Sequence, residues 1–187
     1  TFYFAKDVEL INPEYTIYND TMVYNTNTEM AYFYGPTLIR GEETNIYTEY
    51  GWYHTGRDQA RLTRNNRLDT KQQTITADDI FYDRITGFAD ANGHVNIADT
   101  NNRLIVEGET GKLWENEGRS FVTGKARLLS YDNTDTLYMH ADTLFSFFTS
   151  EREMTMFKAY YGVRFYRQSI QGQCDSVVYT TADSTMR

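Results

Sequence analysis

Residues 78–99 read DDIFYDRITGFADANGHVNIAD, and this stretch decides the fold. Its small and apolar residues share one parity, which is the two-residue period of a strand with one buried face: Ala89, Ala91, Val95 and Ile97. The same alternation occurs in other parts of the chain, and no window shows a convincing 3.6-residue helical period. The stretch therefore predicts β-strands.

The beginning of this stretch is repeated along the chain. The pattern Asp, any residue, two apolar residues and Tyr occurs at 20–24, 78–82 and 175–179, and residues 142–146 form a weaker copy that ends in Ser146. The flanks repeat in the same order, so the sequence predicts one domain with internal repeats over about 5–62, 63–128 and 129–187. Extra residues at 150–153 distort the third repeat. The abrupt first and last residues lead us to expect a piece of a longer chain.

The composition favours strands over helices. Sixteen Tyr and eleven Phe stand beside only two Pro, and aromatic and β-branched residues suit a pleated, half-buried surface. Turn signals punctuate the chain at 65–66, 92–93, 101–102, 117–118 and 132–133. Their spacing predicts about 14 to 18 short strands. The fold class is all-β, with a sandwich, a jelly roll or a roll of stacked units as the alternatives.

Charge and patterning exclude several functions. The formal net charge of −8 argues against a nucleic-acid partner, which would require a basic patch. No run of about 18 apolar residues predicts a membrane-spanning helix, and no signal peptide is visible. The lone Cys174 rules out an intrachain disulfide and is predicted to be a half-buried strand residue.

No catalytic centre is predicted. His54, His94 and His140 have no zinc-ligand spacing, and the chain has no nucleophile elbow and no phosphate-binding glycine loop. We therefore predict a protein that is not an enzyme and uses neither a metal nor a cofactor. The repeated Asp20, Asp78, Asp142 and Asp175 could form a carboxylate ladder for cations. We favour a structural role, in which each Asp accepts backbone amides at a strand bend.

The repeated motifs resemble the OstA-like family, the organic-solvent-tolerance proteins related to the periplasmic lipopolysaccharide-transport protein. The resemblance rests on the Asp-x-apolar-apolar-Tyr motif followed by GHVNIAD at 93–99. Residues 158–166 (KAYYGVRFY) and 171–176 (QGQCDS) are similar to OstA-like proteins of Bacteroidetes. The resemblance to the OstA-like family covers most of the chain, from about residue 5 to the end. The resemblance implies a twisted, open β-jelly roll whose sheets enclose a groove for the acyl chains of lipid A.

Strand parity selects the residues that would line such a groove. The lipid-binding candidates are Ile80, Val95, Ile97, Leu113, Leu128, Leu137, Met139, Phe145, Val163 and Phe165. The alternative is that these side chains fill an ordinary core. A bulge that shifts the parity by one residue would move a candidate to the opposite face.

We therefore predict a periplasmic module that binds lipopolysaccharide by its acyl chains and passes it toward the outer membrane. The resemblance implies partners as well: other lipopolysaccharide-transport proteins, or further copies of this chain, joined end to end by strand pairing. One rival is a structural or protein-interaction module without lipid. Another is a carbohydrate-binding domain with a platform of aromatic residues, namely Trp52, Trp114, Tyr47, Tyr50 and Tyr53.

Overall fold

The computed structural model describes residues 1–11, 13, 15–42, 44–71, 73–151, 153–183 and 185–187. These residues form fifteen strands in one sheet and a single short 3-10 turn at Glu115–Glu117. The all-β prediction is confirmed, and the number of strands lies within the predicted range. The strands are β1 (Phe2–Ile11), β2 (Tyr15–Asn25), β3 (Met30–Gly41), β4 (Thr44–His54), β5 (Gln59–Arg64), β6 (Asn66–Thr70), β7 (Gln73–Ala77), β8 (Asp79–Asp83), β9 (Phe88–Asp99), β10 (Leu104–Trp114), β11 (Arg119–Tyr131), β12 (Thr136–Phe148), β13 (Met154–Arg167), β14 (Ile170–Thr180) and β15 (Thr185–Met186).

The sheet is an antiparallel meander in which nearly every strand pairs with the next one along the chain. The pairs β5 with β6 and β7 with β8 each behave as one long strand interrupted by a single residue. In the first pair β5 pairs with β4 and β8, and β6 pairs with β4 and β7. In the second pair both β7 and β8 pair with β9. The sheet therefore consists of consecutive long strands, most of them interrupted near the middle.

The interruptions are bends, and one of the two kinds carries an acidic residue. In an acidic bend, the last inner-facing residue before the bend and the first one after it are separated by two residues. The first of these two separating residues is acidic. The members are Asp20, Glu49, Asp78, Glu109, Asp142 and Asp175. Because the side-chain period of a strand is two, this spacing shifts the parity of the inner face by one residue.

The other kind of bend alternates with the first and keeps the parity. Here three residues separate the two inner-facing residues, and at least one of the three has a positive φ. From β3 to β13 the positive-φ residues include Gly35, Asn65, Gly93, Gly124 and Gly162. Two of the predicted turn signals, at 65–66 and 92–93, fall at these bends. The other three, at 101–102, 117–118 and 132–133, lie in connections between strands.

Acidic bends and positive-φ bends lie side by side on neighbouring strands. Gly93 has φ 75°, and a Cβ built on it would lie 2.9 Å from the Cβ of Asp78. Gly35 faces Asp20 in the same way, and the Nδ2 of Asn65 donates a hydrogen bond of 2.8 Å to Glu49 Oε1. The left-handed residue therefore leaves the space that the acidic side chain of the neighbouring strand fills.

The acidic bends recur at intervals of 29, 29, 31, 33 and 33 residues from Asp20 to Asp175. This interval is one hairpin, about half the length of the repeats proposed above. Sequence inspection missed the intermediate copies because Glu49 and Glu109 replace the Asp of the motif. The division into three repeats stays a prediction.

The bends lie level with one another, so the sheet folds over into two arms that pack face to face. The first arm carries Met22, Val122 and Leu144, and the second arm carries Ile17 and Met139. Residues of both arms meet in the same buried clusters: Val122 and Leu144 pack with Met139, and Met22 packs with Ile17. The space between the arms, called the trough below, runs across the strands from β1 to β14.

The contact between Gly93 and Asp78 can be tested by a pair of alanine substitutions. Gly162→Ala introduces a residue at φ 62° with nothing within 4 Å of the new Cβ, so it should lower the free energy of unfolding by about 1–2 kcal/mol through backbone strain alone. Gly93→Ala adds a clash with Asp78 and should cost about 1–3 kcal/mol more. Urea unfolding measures both values, and equal losses would contradict this account of the bend.

Candidate functional site

Rows of apolar residues line the inner face of the trough in both arms. In the second arm one continuous row crosses nine strands, in register: Ile39, Ile46, Leu68, Ile75, Ile97, Val106, Leu128, Met139 and Phe165. In the first arm the corresponding row contains Leu62, Ile80, Val122 and Leu144. Arg127 and Glu107 form an ion pair on the outer face. Asp99 of β9 is the exception among the buried residues of the inner face: it is charged, and it accepts hydrogen bonds from Gln73 and Asn102. The second arm therefore presents a continuous apolar row to the trough.

Nine of the ten candidate side chains lie on the inner face. Five of them are buried close to the bend: Ile80, Val95, Leu128, Met139 and Val163. Four are half-buried: Ile97, Leu113, Leu137 and Phe165. Val163 has 0% of its surface exposed, so the trough is packed shut beside the bend and becomes more accessible toward the two rims.

The face assigned to Phe145 was wrong. Phe145 shares parity with Leu137 and Met139, but the acidic bend at Asp142 lies between them and shifts the inner face to Leu144. Phe145 consequently lies on the outer face, where its ring is 5.5 Å from that of Phe121.

The row of inner-facing residues beside the bend, called the floor row below, changes character along the trough. On β2, β3, β4 and β6 its members are Asn19, Thr37, Thr48 and Asn66, and on later strands they are Ala77, Val95, Ala126, Ala141 and Val163. All nine are buried. Sequence analysis overlooked the four polar residues because it searched for apolar parity. For Asn19, Thr48 and Asn66, a polar side chain at inner-face parity beside an acidic or Asn bend is the signal that could have found them.

The aromatic residues form a ladder on the outer face of the first arm. Successive rings lie 5.5 to 6.4 Å apart, and the members are Trp52, Phe81, Phe88, Trp114, Phe121, Phe145 and Tyr160. Arg119 covers Trp114, with Cζ 4.1 Å from the ring centroid. The proposed carbohydrate platform is not assembled, because Tyr53 packs against the inner cluster while Tyr47 lies on the outer face of the other arm.

The repeated Asp residues lie at strand bends, as predicted, but their partners differ from those predicted. Oδ2 of Asp142 accepts a hydrogen bond from Thr143 Oγ1 at 2.9 Å, and Asp78 Oδ2 lies 2.8 Å from Nδ1 of His94. That hydrogen bond raises the pKa of the exposed His94. In Asp78 and Asp142 the carboxylate therefore contacts a side chain, where a backbone amide was predicted. In the described part of the chain, no three acidic, His or Cys side chains are close enough together to hold a metal ion.

Polar groups tie the strands at one rim of the trough. Arg167 of β13 contacts the β11–β12 connection, with Nη2 2.7 Å from Asp132 Oδ2 and Nε 3.1 Å from Asp135 Oδ2. Thr134 donates its backbone amide and its hydroxyl to Asp132 Oδ1. These hydrogen bonds, together with Arg167, lower the pKa of Asp132 to about 2. Asp132 is therefore ionised at any neutral or mildly acidic pH.

Bent antiparallel strands folded around an apolar trough define this protein as a β-jelly-roll module. The chain belongs to the OstA-like protein family, whose model matches residues 1–78 and 21–112. The narrower similarity to OstA-like proteins of Bacteroidetes stays a prediction. In the described residues, no helix has the length and apolar character needed to cross a membrane.

A solved structure supports the fold. It is the crystal structure of LptH, the LptA-homologous periplasmic component of the conserved lipopolysaccharide transport device from Pseudomonas aeruginosa. The TM-score is 0.52 at 17% sequence identity, and the similarity covers 62% of this chain and 80% of that chain. No curated protein sequence matches the chain at a significant level.

The structural role of the aromatic ladder can be tested at its middle. Phe121→Ala removes two ring contacts, to Trp114 and to Phe145, and each such pair contributes about 0.5–1.5 kcal/mol. We expect the free energy of unfolding in urea to fall by about 1–3 kcal/mol. The control is Tyr131→Ala, an exposed outer-face aromatic whose loss should change stability by less than about 0.5 kcal/mol. Similar losses in the two variants would show that the ladder adds nothing beyond ordinary surface contacts.

Proposed function

We propose that this protein is a periplasmic lipopolysaccharide-binding and transport module that holds the acyl chains of lipid A in its trough. The observation that carries this proposal is the inner face of the second arm, where apolar side chains follow one another in register across nine strands. Membership of the OstA-like family and the fold shared with LptH support it. The module would pass its ligand toward the outer membrane during outer-membrane assembly.

The trough could bind acyl chains by burial alone. Each CH₂ group transferred from water contributes about 0.8 kcal/mol, so several chains need few polar contacts. The half-buried Leu113, Leu137 and Phe165 toward the rims could move apart at lower cost than the close-packed residues beside the bend. The net charge of −8 favours a bound state in which phosphorylated headgroups stay outside the trough.

End-to-end pairing would extend the apolar lane beyond one module. In the described residues β1 pairs only with β2, and β15 covers only Tyr179 and Thr180 of β14. The apolar residues Phe2, Tyr3 and Phe4 of β1 are exposed, and such an edge readily accepts another strand. We propose that the partner is another lipopolysaccharide-transport protein or a second copy of this chain.

No catalytic step is needed for this role, because the ligand would move along a surface without a covalent change. A structural module without lipid would use the same strand edges but would not need a continuous apolar inner face. A carbohydrate-binding role is disfavoured because Trp52 and Trp114 belong to the packed ladder. We therefore keep the lipid-transport role as the proposal and test it by its contact surface.

Site-specific photocrosslinking tests the trough directly. A photoreactive amino acid at position 165 would lie on the inner face, and the same amino acid at position 145 would lie on the outer face; both residues are half-buried. With purified lipopolysaccharide we expect an adduct at 165 and less than about a tenth as much at 145, because only the inner face would hold acyl chains.

Two controls complete this experiment. Free lipid A should compete with the adduct at 165, since it carries the same acyl chains. A polysaccharide without acyl chains should not compete. Equal labelling at 145 and 165, or no labelling at either, would refute lipid binding in the trough.

End-to-end association can be tested at the β1 edge. Tyr3 is 79% exposed, and Tyr3→Lys places a charge on the edge strand, which blocks strand addition. We expect the average mass in sedimentation equilibrium to rise with concentration for the unmodified chain. In the variant the dissociation constant should increase at least about tenfold, which corresponds to about 1.4 kcal/mol. Tyr32→Lys, on an internal strand, is the control and should associate normally; if it weakens association equally, the β1 edge is not the contact.

A further inference from the structure

The floor row divides the trough into a polar and an apolar part. On the first strands its buried members carry hydroxyl and amide groups, and from β7 onward they are Ala77, Val95, Ala126, Ala141 and Val163. Buried polar groups require hydrogen-bond partners, so the partners of each polar member show which of them serve the fold alone.

Asn66 is satisfied by the protein itself. Its Nδ2 donates to the carbonyl oxygens of Leu62, Ala77 and Asp78 at 2.9 to 3.2 Å. Its Oδ1 accepts from Thr48 Oγ1 at 2.8 Å and from the amide of Arg64 at 3.1 Å. Asn66 therefore joins β5, β6 and β7 where the strands break, and its role is structural.

Asn19 differs from Asn66 because one of its polar atoms has no partner. Nδ2 donates to Thr37 Oγ1 at 2.6 Å, and Thr37 donates onward to the carbonyl oxygen of Gly35 at 3.0 Å. The Oδ1 of Asn19 is buried without a hydrogen-bond partner, and the residue is only 4% exposed. An unsatisfied buried acceptor costs free energy that a donor from outside the protein would recover.

Within the trough, the surroundings of Asn19 favour a neutral donor, although Asn19 also lines a surface pocket together with Asp7, Glu9 and Asp20. Asn19 has the parity of Ile17 on β2, and Ile17 packs with the buried Met22 and Phe33. A charged group would lose its hydration in this environment, which is costly. A hydroxyl or amide group attached to an apolar chain would donate a hydrogen bond to Asn19 Oδ1. The apolar chain would take the place of the contacts that the two arms now make with each other.

We propose that Asn19 Oδ1 accepts a hydrogen bond from a hydroxyl or amide group on an acyl chain in the trough. The trough consequently prefers hydroxylated or amide-linked acyl chains to plain ones. This inference rests on the proposed lipid-binding function and specifies its ligand class. The polar group of such a chain lies over the floor row near β2, and the apolar remainder extends along the apolar row of the second arm at Ile39 and Ile46. Because Asn19 is buried, the two arms separate when the chain enters.

Matched fatty acids test this preference. We would titrate delipidated protein with tetradecanoic acid, 3-hydroxytetradecanoic acid and 3-methoxytetradecanoic acid, and follow binding by calorimetry. The hydroxylated chain should bind about tenfold more tightly than the plain chain, the factor expected of one hydrogen bond. The methoxy chain keeps the oxygen and loses the donor, so it should bind no better than the plain chain.

Two variants locate the effect. Asn19→Leu should reduce the preference to less than about twofold while the affinity for the plain chain changes by less than about threefold. Val163→Thr adds a hydroxyl to the apolar part of the floor row and should retain the full preference. If Asn19→Leu does not fold, the comparison of hydroxy and methoxy chains on the unmodified protein still decides the question.

The outcomes separate this inference from the function on which it rests. Equal binding of all three chains would overturn the preference and leave lipid binding intact, with Asn19 holding only a water molecule. Absence of binding by any chain would overturn both. A preference that persists undiminished in a folded Asn19→Leu variant would assign it to another residue and refute the role of Asn19.

Discussion

The structure depends on a steric constraint at the bends of the long strands. Neighbouring strands can fold over together only if their bends lie level, and an acidic side chain on one strand fits the space left by a positive-φ residue on the next. Asp78 beside Gly93 is the clearest case. At the bend of Glu49 and Asn65 the two side chains are instead joined by a hydrogen bond. Since bulges normally disrupt pairing locally, a matched series of bulges is what allows one continuous sheet to become two facing arms.

The trough follows from this constraint, because arms that meet at a shared bend face each other with the side chains that strand alternation places inside. Packing is tightest next to the bend, where Ala126, Ala141 and Val163 have no exposed surface. It loosens toward the rims, at Leu137 and Phe165. This gradient in packing keeps the fold closed beside the bend. It also allows a flexible apolar ligand to enter from the rims.

Much of this could be predicted from sequence, because strand alternation and turn composition are local properties. The all-β class, the number of strands and the inner-face position of nine candidate residues follow from them. The assignment of Phe145 to the inner face was wrong because the bend at Asp142 changes the parity, and a single sequence does not show where a bulge lies. Asn19 was not found, since its significance depends on Thr37 of the adjacent strand and on an acceptor that no neighbour reaches. The sequence can mark Asn19 as a polar residue at inner-face parity, but its unpaired acceptor arises only from tertiary contacts.

The hairpin interval has a consequence for the evolution of length in such modules. An added hairpin would consist of one strand with an acidic bend and one strand with a positive-φ bend. It would present the same pair of bends to its neighbours, so its insertion would leave the existing bend contacts in place. Two strands add roughly 9.6 Å to the width of a sheet. Tandem duplication of about thirty residues, the spacing between Asp20 and Glu49 or Asp78 and Glu109, would therefore lengthen the interior while its cross-section stayed constant.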